Sequence, residues 1–447
     1  MTPPADATLL TVDTVLPSAA STPLRPGYLR WRAGTLTEVG EGHPTPQADE
    51  TWVHRPDGLA LPGLVNTHHH LAGTITDALI EDSGIGMGTR RSGAEAALHA
   101  SIDGRSARAV ALLAAVQMIR SGVTTTTDSH ATWKDSDRID GSVRAADESG
   151  LRVVLHVAFL DRTELIPRDR QFNADEVTLE MRRLRAALQN DLVEIEPEAL
   201  SLPRASDELV AAVHSARRRL AALHLNYSSE FRDWSRHTLG VGAVQHLDRL
   251  GVLDSGWIFA HPIHLEQGEA ELLAARGAGC AYCPVSNLSL ALDTPDLRPL
   301  RSAGVAIGIG IDHPNGSHDL WASARTAALV QRGVAGEVAA WTASDALRMA
   351  TQEGARALGL DHVTGRLAPG LSADVQILDL RDSALTATRM RPQRVALAAH
   401  PGHVQDVAVR GDWLLKDGCL VHLDETSIVA EARQVREELL HRSRSSH

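Results

Sequence analysis

The chain has few cysteines, no excess of positive charge and no long apolar run, and each shortage removes a class of protein. Three cysteines in 447 residues are an odd number and make no disulfide framework. Two of them, Cys280 and Cys283, have C-x-x-C spacing, but Gly277-Ala-Gly-Cys-Ala-Tyr-Cys-Pro284 reads as a short strand stopped by proline. Positions i and i+3 of a strand face opposite sides, so the pair is read as structural rather than redox-active or zinc-binding. A formal net charge of −12 argues against nucleic-acid and anionic-membrane partners, which both need basic patches. No run of about 18 apolar residues is present to span a bilayer. Met1-Thr-Pro-Pro-Ala-Asp-Ala7 lacks the basic and apolar regions of a secretory signal. There is no short repeat, no low-complexity segment, and no Gly-x-Gly-x-x-Gly after a first strand, the mark of a dinucleotide-binding open sheet. What remains is an ordinary globular composition, 43% hydrophobic and 22% charged, expected in the cytoplasm and without a membrane or nucleic-acid partner. The length suits two or three domains, or one elaborated barrel.

What is there falls into three stretches. Residues 5–60 alternate short strand-like runs with Gly and Pro turns, as in Thr8–Val12, Tyr28–Trp31 and Leu36–Val39, an all-β pattern. From 61 to 365 short apolar strands alternate with amphipathic helices. Arg105–Ser121 precedes Val123–Thr127, Gly141–Ser149 precedes Leu151–Leu160, Ala243–Leu250 precedes Trp257–His261, and Pro299–Gly304 precedes Val305–Ile311. About eight such units predict a (β/α)₈ TIM-like barrel. From 366 strands return at Ala373–Leu378, Gln405–Val409 and Asp412–Leu415, and Asp424–Arg442 reads as a closing helix. The expected architecture is therefore a barrel over 61–365 and one small β-sandwich domain composed of 1–60 and 366–447.

The most informative segment is Leu61-Pro-Gly-Leu-Val-Asn-Thr-His-His-His70. Gly63-Leu-Val is apolar and reads as a buried strand, on which side chains alternate. His68 and His70 then point the same way and His69 the other. Two neutral imidazoles on one face suit a divalent ion such as zinc, iron or manganese. In a barrel the chemistry sits at the C-terminal ends of the strands. Those ends carry His224 after Ala222-Leu, His261 after Ile258-Phe-Ala, and Asp312 at the tip of Val305-Ala-Ile-Gly-Ile-Gly-Ile. Singly, each is more often a capped or solvated side chain than a ligand. Together with His-x-His they are hard to explain as packing.

These blocks resemble the metal-dependent amidohydrolase superfamily, in its cytosine deaminase, chlorotriazine hydrolase and S-adenosylhomocysteine deaminase branch. The resemblance covers essentially the whole chain. It rests on Leu61–His70, Gly122-Val-Thr-Thr-Thr-Thr-Asp128, His261-Pro-Ile-His264, Cys283-Pro-Val-Ser-Asn-Leu288, Gly308–Asp312, Thr342–Thr351 and Gly365–Asp374, in that order. It implies that His68, His70, His224 and Asp312 hold one metal ion, with zinc expected and iron or manganese as alternatives. It implies that Asp312 takes a proton from water and passes it to the leaving group, and that His261 stabilises the developing tetrahedral centre.

The chain departs from the branch pattern in three places. Three residues after the strand-5 histidine the branch has a proton-shuttling Glu, and here Tyr227 stands there, with Glu230 three residues further as another candidate. A Pro-His-Ala-Pro-Tyr substrate block is replaced by Glu198-Ala-Leu-Ser-Leu202, and His313 follows Asp312 where small residues are usual. His130 and His156 are candidates to line the pocket. Glu81–Gly88 reads as a surface loop, with a lid as the rival reading, and Arg90-Arg91 as a solvated charge pair. The expected function is metal-dependent hydrolysis of a C–N bond in a small cyclic or heteroaromatic compound, of aminohydrolase type. The alternatives are a cyclic amide, C–halogen or C–S hydrolase or another atypical reaction on the same site, and a non-catalytic metal-binding member. Because of Tyr227, ordinary purine, pyrimidine and triazine amines are expected to be poor substrates. A homo-oligomer, dimer or higher, is expected.

Overall fold

The computed structural model describes residues 7–76, 101–163, 166–313 and 317–445. The terminal strands are β1 (Ala7–Val15), β2 (Gly27–Arg32), β3 (Thr35–Glu41) and β4 (Glu50–Pro62). The central strands are β5 (Leu64–Asn66), β6 (Val123–Ala131), β7 (Arg152–Phe159), β8 (Val193–Ser201), β9 (Ala221–His224), β10 (Trp257–Ala260), β11 (Gly279–Tyr282) and β12 (Ala306–Ile309). The chain ends with β13 (Val375–Asp379), β14 (Val404–Val409), β15 (Asp412–Lys416) and β16 (Cys419–Leu420).

Strands β5 to β12 form a closed parallel barrel in simple succession, shut by the pairing of Ile309 with Asn66. Helices such as Gly104–Arg120, Arg138–Ser149, Ala174–Leu188 and Leu320–Ala335 connect them. This is the TIM-like fold that the alternating pattern predicts. The strand that stands out least in the sequence is β8. Its Val193, Ile195 and Ala199 join the core between barrel and helices, but Glu194, Glu196 and Glu198 break the apolar run. Glu196 and Glu198 are nonetheless fully buried.

The two ends of the chain form one continuous eight-stranded sheet in the order β16-β15-β14-β13-β4-β1-β2-β3. Leu10, Leu29, Trp31, Leu36, Val53, Val375 and Ile377 pack as its core. β4 lies between the two contributions, parallel to β1 and antiparallel to β13. It runs almost directly into β5. At the join, Gly63 N donates to Asp374 O at 3.0 Å, and a side chain on Gly63 would overlap Thr124. The glycine is therefore there for close approach, which lets the terminal sheet fix the strand that carries the histidines. A last helix, Glu425–Ser445, seats Val435 and Leu439 against Ala107 and Val110. Among the described residues no helix is long and apolar enough to cross a membrane.

Candidate metal centre

The histidine run sits just past β5 and its backbone is held on both sides. Thr67 N donates to Ile309 O at 2.9 Å, Asp312 N donates to His68 O at 2.9 Å, and Ser129 N donates to His69 O at 2.7 Å. The predicted alternation is present. His68 and His70 face Asp312, with Nε2 to Oδ1 distances of 3.4 and 3.2 Å. His69 turns away and stacks on His318 at 4.9 Å between ring centres.

His224, the last residue of β9, brings its Nε2 to 3.3 Å from His70 Nε2. His261, just past β10, holds its Nε2 3.5 Å from Asp312 Oδ2. Asn226, His261 and Asp312 have φ of 40°, 56° and 59°, the left-handed region that costs a non-glycine residue about 1–3 kcal/mol. Their clustering at the ends of β9, β10 and β12 means that packing enforces these turns where the side chains converge.

Hydrogen bonds orient the rings of His70, His224 and His261. His70 Nδ1 lies 2.8 Å from Ser129 O, and His224 Nδ1 lies 3.0 Å from Leu200 O. Both nitrogens must therefore donate, which presents Nε2 to the cluster as a lone pair. His261 Nδ1 is 2.9 Å from Asn287 Oδ1. Ser286 donates to Asp312 Oδ2 at 2.5 Å. Ser286 and Asn287 lie on the short helix Pro284–Ser289, inside a block the sequence marks as family-like but gives no role. Their signal was only that block.

Electrostatics separate the groups. Burial pushes the His68 pKa down to about 3 despite the Asp312 carboxylate. Burial also opposes charge on His70, but Asp312 and Glu198 outweigh it and hold that pKa above the ordinary value. Asp312 is buried too, yet His261, His68 and His70 keep it ionised, well below the usual carboxylate range.

The donor set fits a metal ion. The ligating atoms of His68, His70 and Asp312, and those of His68, His224 and His261, lie within 4.8 Å of one another. His68 Nε2 is buried with no hydrogen-bond partner. The facing lone pairs of His70 and His224 repel unless a proton or a cation sits between them. Carboxylate plus neutral imidazole is the donor chemistry of catalytic zinc sites.

The remaining candidates divide. Tyr227 is buried beside the cluster, its ring centre 6.0 Å from that of His261 and 6.4 Å from that of His224. Glu230 is not brought in: it is exposed in the first turn of the helix Ser229–Leu239, because its position on that turn faces solvent. His156 is buried, and the nearby Glu198 partly offsets the burial that pushes its pKa down to about 4. His130 meets Ser142 and Asp128 instead, at 3.2 and 3.5 Å. His264 pairs with Asp293 at 3.1 Å. Cys280 and Cys283 are buried free thiols, and burial raises both pKa values, that of Cys280 to about 12. The segment Glu81–Gly88 and Arg90-Arg91 lie outside the described residues. Glu198 drew no role from the sequence, yet it is fully buried with its Oε1 3.0 Å from His224 Nδ1.

A closed (β/α)₈ barrel with four histidines and an aspartate converging past its strand ends defines a barrel hydrolase of the metal-dependent kind. Residues 59–414 match the profile of the Amidohydrolase family, and the chain belongs to that family. It is 30% identical to the 5-methylthioadenosine/S-adenosylhomocysteine deaminase of Natronomonas pharaonis, over 92% of this chain and 93% of the relative. It is also 30% identical to the 5'-deoxyadenosine deaminase of Methanothermobacter thermautotrophicus, over 88% and 91%. An adenosine deaminase from Xanthomonas campestris, solved with bound zinc, superposes with a TM-score of 0.88 at 25% identity, covering 97% of this chain and 98% of that one. An atrazine chlorohydrolase from Arthrobacter aurescens, solved with zinc, shares the fold with a TM-score of 0.87 at 21% identity, covering 96% and 100%. The chain is a metal-dependent hydrolase of carbon–nitrogen bonds other than peptide bonds. Among the readings open at the sequence level, these relatives favour that one.

Proposed function

We propose that the chain is an aminohydrolase acting on a ring carbon of a small heteroaromatic compound, with one zinc ion held by His68, His70, His224 and Asp312. Water is consumed, ammonia or an amine leaves, and the ring carbon keeps the oxygen. The observation that carries this reading is the convergence of the His68, His70 and Asp312 donor atoms within 4.8 Å, with His224 Nε2 3.3 Å from His70 Nε2. When bound, the ion supplies Lewis acidity, which acidifies water and draws charge from the bond under attack.

The chain's own residues handle the protons. Asp312, ionised and steadied by Ser286, accepts the proton from water and delivers it to the leaving nitrogen. His261, held through its Nδ1–H by Asn287, has a proton to offer on Nε2 only as the imidazolium, and in that form it donates to the oxygen of the tetrahedral centre. Tyr227 donates its hydroxyl to the ring nitrogen next to the reacting carbon. A phenol is by its chemistry a weaker acid than the carboxyl group that the branch places there, so rings needing full protonation react slowly. The relatives make aminopurine nucleosides the first compounds to test, and the weaker acid at Tyr227 ranks them below rings that need no strong acid. The reading includes a cytoplasmic location, favoured by the free thiols, and a homo-oligomer, which light scattering tests.

The test is ammonia and amine release from a panel of adenosine derivatives, pyrimidines, aminotriazines and cyclic amides. Release from at least one amine, abolished in Asp312→Asn, is the expected result. Cleavage of only carbon–halogen or carbon–sulfur bonds would overturn the aminohydrolase assignment.

A further inference from the structure

Strand β8 reaches the back of His224 from two sides. The register of β8 against β9 shifts between Ala199 and Ser201, and Ser201 pairs with His224. That irregularity lets the Leu200 carbonyl and the Glu198 side chain approach the same ring nitrogen. Leu200 O is 3.0 Å from His224 Nδ1 and takes its hydrogen bond. Glu198 Oε1 is also 3.0 Å from Nδ1. Glu198 has no exposed surface, and the Ser129 side chain is placed to donate to it. Nearby, His156 Nε2 is buried without a partner.

A buried carboxylate without its full complement of donors is costly and persists only where charge or geometry uses it. Here the use is on the far side of the ring. The carbonyl fixes the tautomer, and the carboxylate adds negative charge behind a ring whose Nε2 faces the cluster. Carboxylates behind ligating histidines raise ligand basicity and hold the ring in place.

We propose that Glu198 is a positioning residue for His224, a carboxylate supplied by β8 that orients and charges this ring as a metal ligand. The inference rests on the metal reading above. It makes the metal-free and metal-loaded proteins respond with opposite sign when the charge is removed. Without a cation the carboxylate is a burden, and with one it is an asset.

The experiment compares wild type, Glu198→Gln and Glu198→Asp by zinc competition against a chelator, and by melting with and without zinc. Glu198→Gln should bind zinc about 10- to 100-fold more weakly, while its metal-free melting temperature is unchanged or raised. Glu198→Asp keeps the charge one methylene further back and should fall between the two. A purely structural role would lower both melting temperatures and leave zinc affinity alone. A substrate contact would raise KM with zinc affinity intact. Either result overturns the proposal. If Glu198→Gln does not fold, Glu198→Asp decides alone, since wild-type zinc affinity in that variant contradicts the need for reach. Wild-type protein that binds no zinc would instead overturn the metal reading itself, a separate outcome.

Discussion

Replacing Gly310 by alanine should damage the site without touching any of its ligands. The residue follows β12 where the backbone passes behind His68. A methyl group there would lie 2.6 Å from Cys283 Sγ, 2.9 Å from His68 Cβ and 3.1 Å from His68 O. Ordinary carbon contacts are about 3.5–4.0 Å, so the neighbours must retreat by roughly 1 Å. Cys283 is fully buried, so its sulfur retreats only by displacing packed neighbours. His68 O is tied to the backbone of Ile311 and Asp312, so a shift there carries His68 and Asp312 with it. Overpacking of this kind costs about 1–3 kcal/mol, which leaves the protein folded. A site, however, tolerates only about 0.5 Å of displacement, and a 1 Å misplacement can cost about 10²-fold in rate. Gly310→Ala should therefore lose metal and at least about 10²-fold in activity, with a drop of only a few degrees in melting temperature. Elemental analysis, turnover and thermal melting measure the three quantities. Gly333→Ala is the control. It lies in the helix Leu320–Ala335 with nothing within 4 Å of the added group and should be neutral or stabilising. Adding Cys283→Ala to Gly310→Ala relieves the sulfur contact and should restore stability but not metal, since the His68 contact remains. Wild-type metal content and rate in Gly310→Ala would refute the reasoning.

Three further outcomes follow from other parts of the structure. Tyr227→Phe removes a hydroxyl and nothing else, and a proton-donating role predicts a rate loss of about 10²-fold; an unchanged rate would remove Tyr227 from the mechanism. Burial pushes the His318 pKa down to about 3, so between that value and the unfolded pKa near 6.5 the unfolded chain binds the extra proton, and stability is lost as the pH drops through that window. His318→Gln should lose less stability than wild type from pH 6.5 to 5, by roughly 2 kcal/mol at about 1.4 kcal/mol per pH unit, and parallel stability curves would contradict this. Deleting residues 370–447 removes β13 from the edge of β4, including the buried Val375 and Ile377. Proteolysis should then cut the N-terminal strands rapidly, whereas a soluble, active truncated barrel would show that they fold without their partner.

Much of this molecule could be read from its residues because most strands are short apolar runs ending in a polar group. Val305–Asp312 announces both a strand and its functional tip, and His68 and His70 announce a shared face. β8 did not stand out because three glutamates alternate along it, a pattern that normally marks a solvent face. Burial of Glu196 and Glu198 depends on partners from other elements, Arg185 on the preceding helix for one and His224 on β9 for the other. Ser286 and Asn287 carried no chemical signature of their own, since serine and asparagine suit any surface helix. Their roles come from a turn that sets them beside Asp312 and His261. Glu230 was a fair candidate by spacing alone. The phase of the helix that starts after Ser228 turns it to solvent, and tertiary packing sets that phase.

The most direct test of the account is zinc stoichiometry measured together with ammonia and amine release in the same preparations of wild type, His68→Ala and Asp312→Ala. The account predicts about one ion per wild-type chain and turnover of at least one heteroaromatic amine, with both lost together in the two variants. Wild-type protein that turns over such an amine with no metal bound, even after growth in zinc- or iron-supplemented medium, would contradict it.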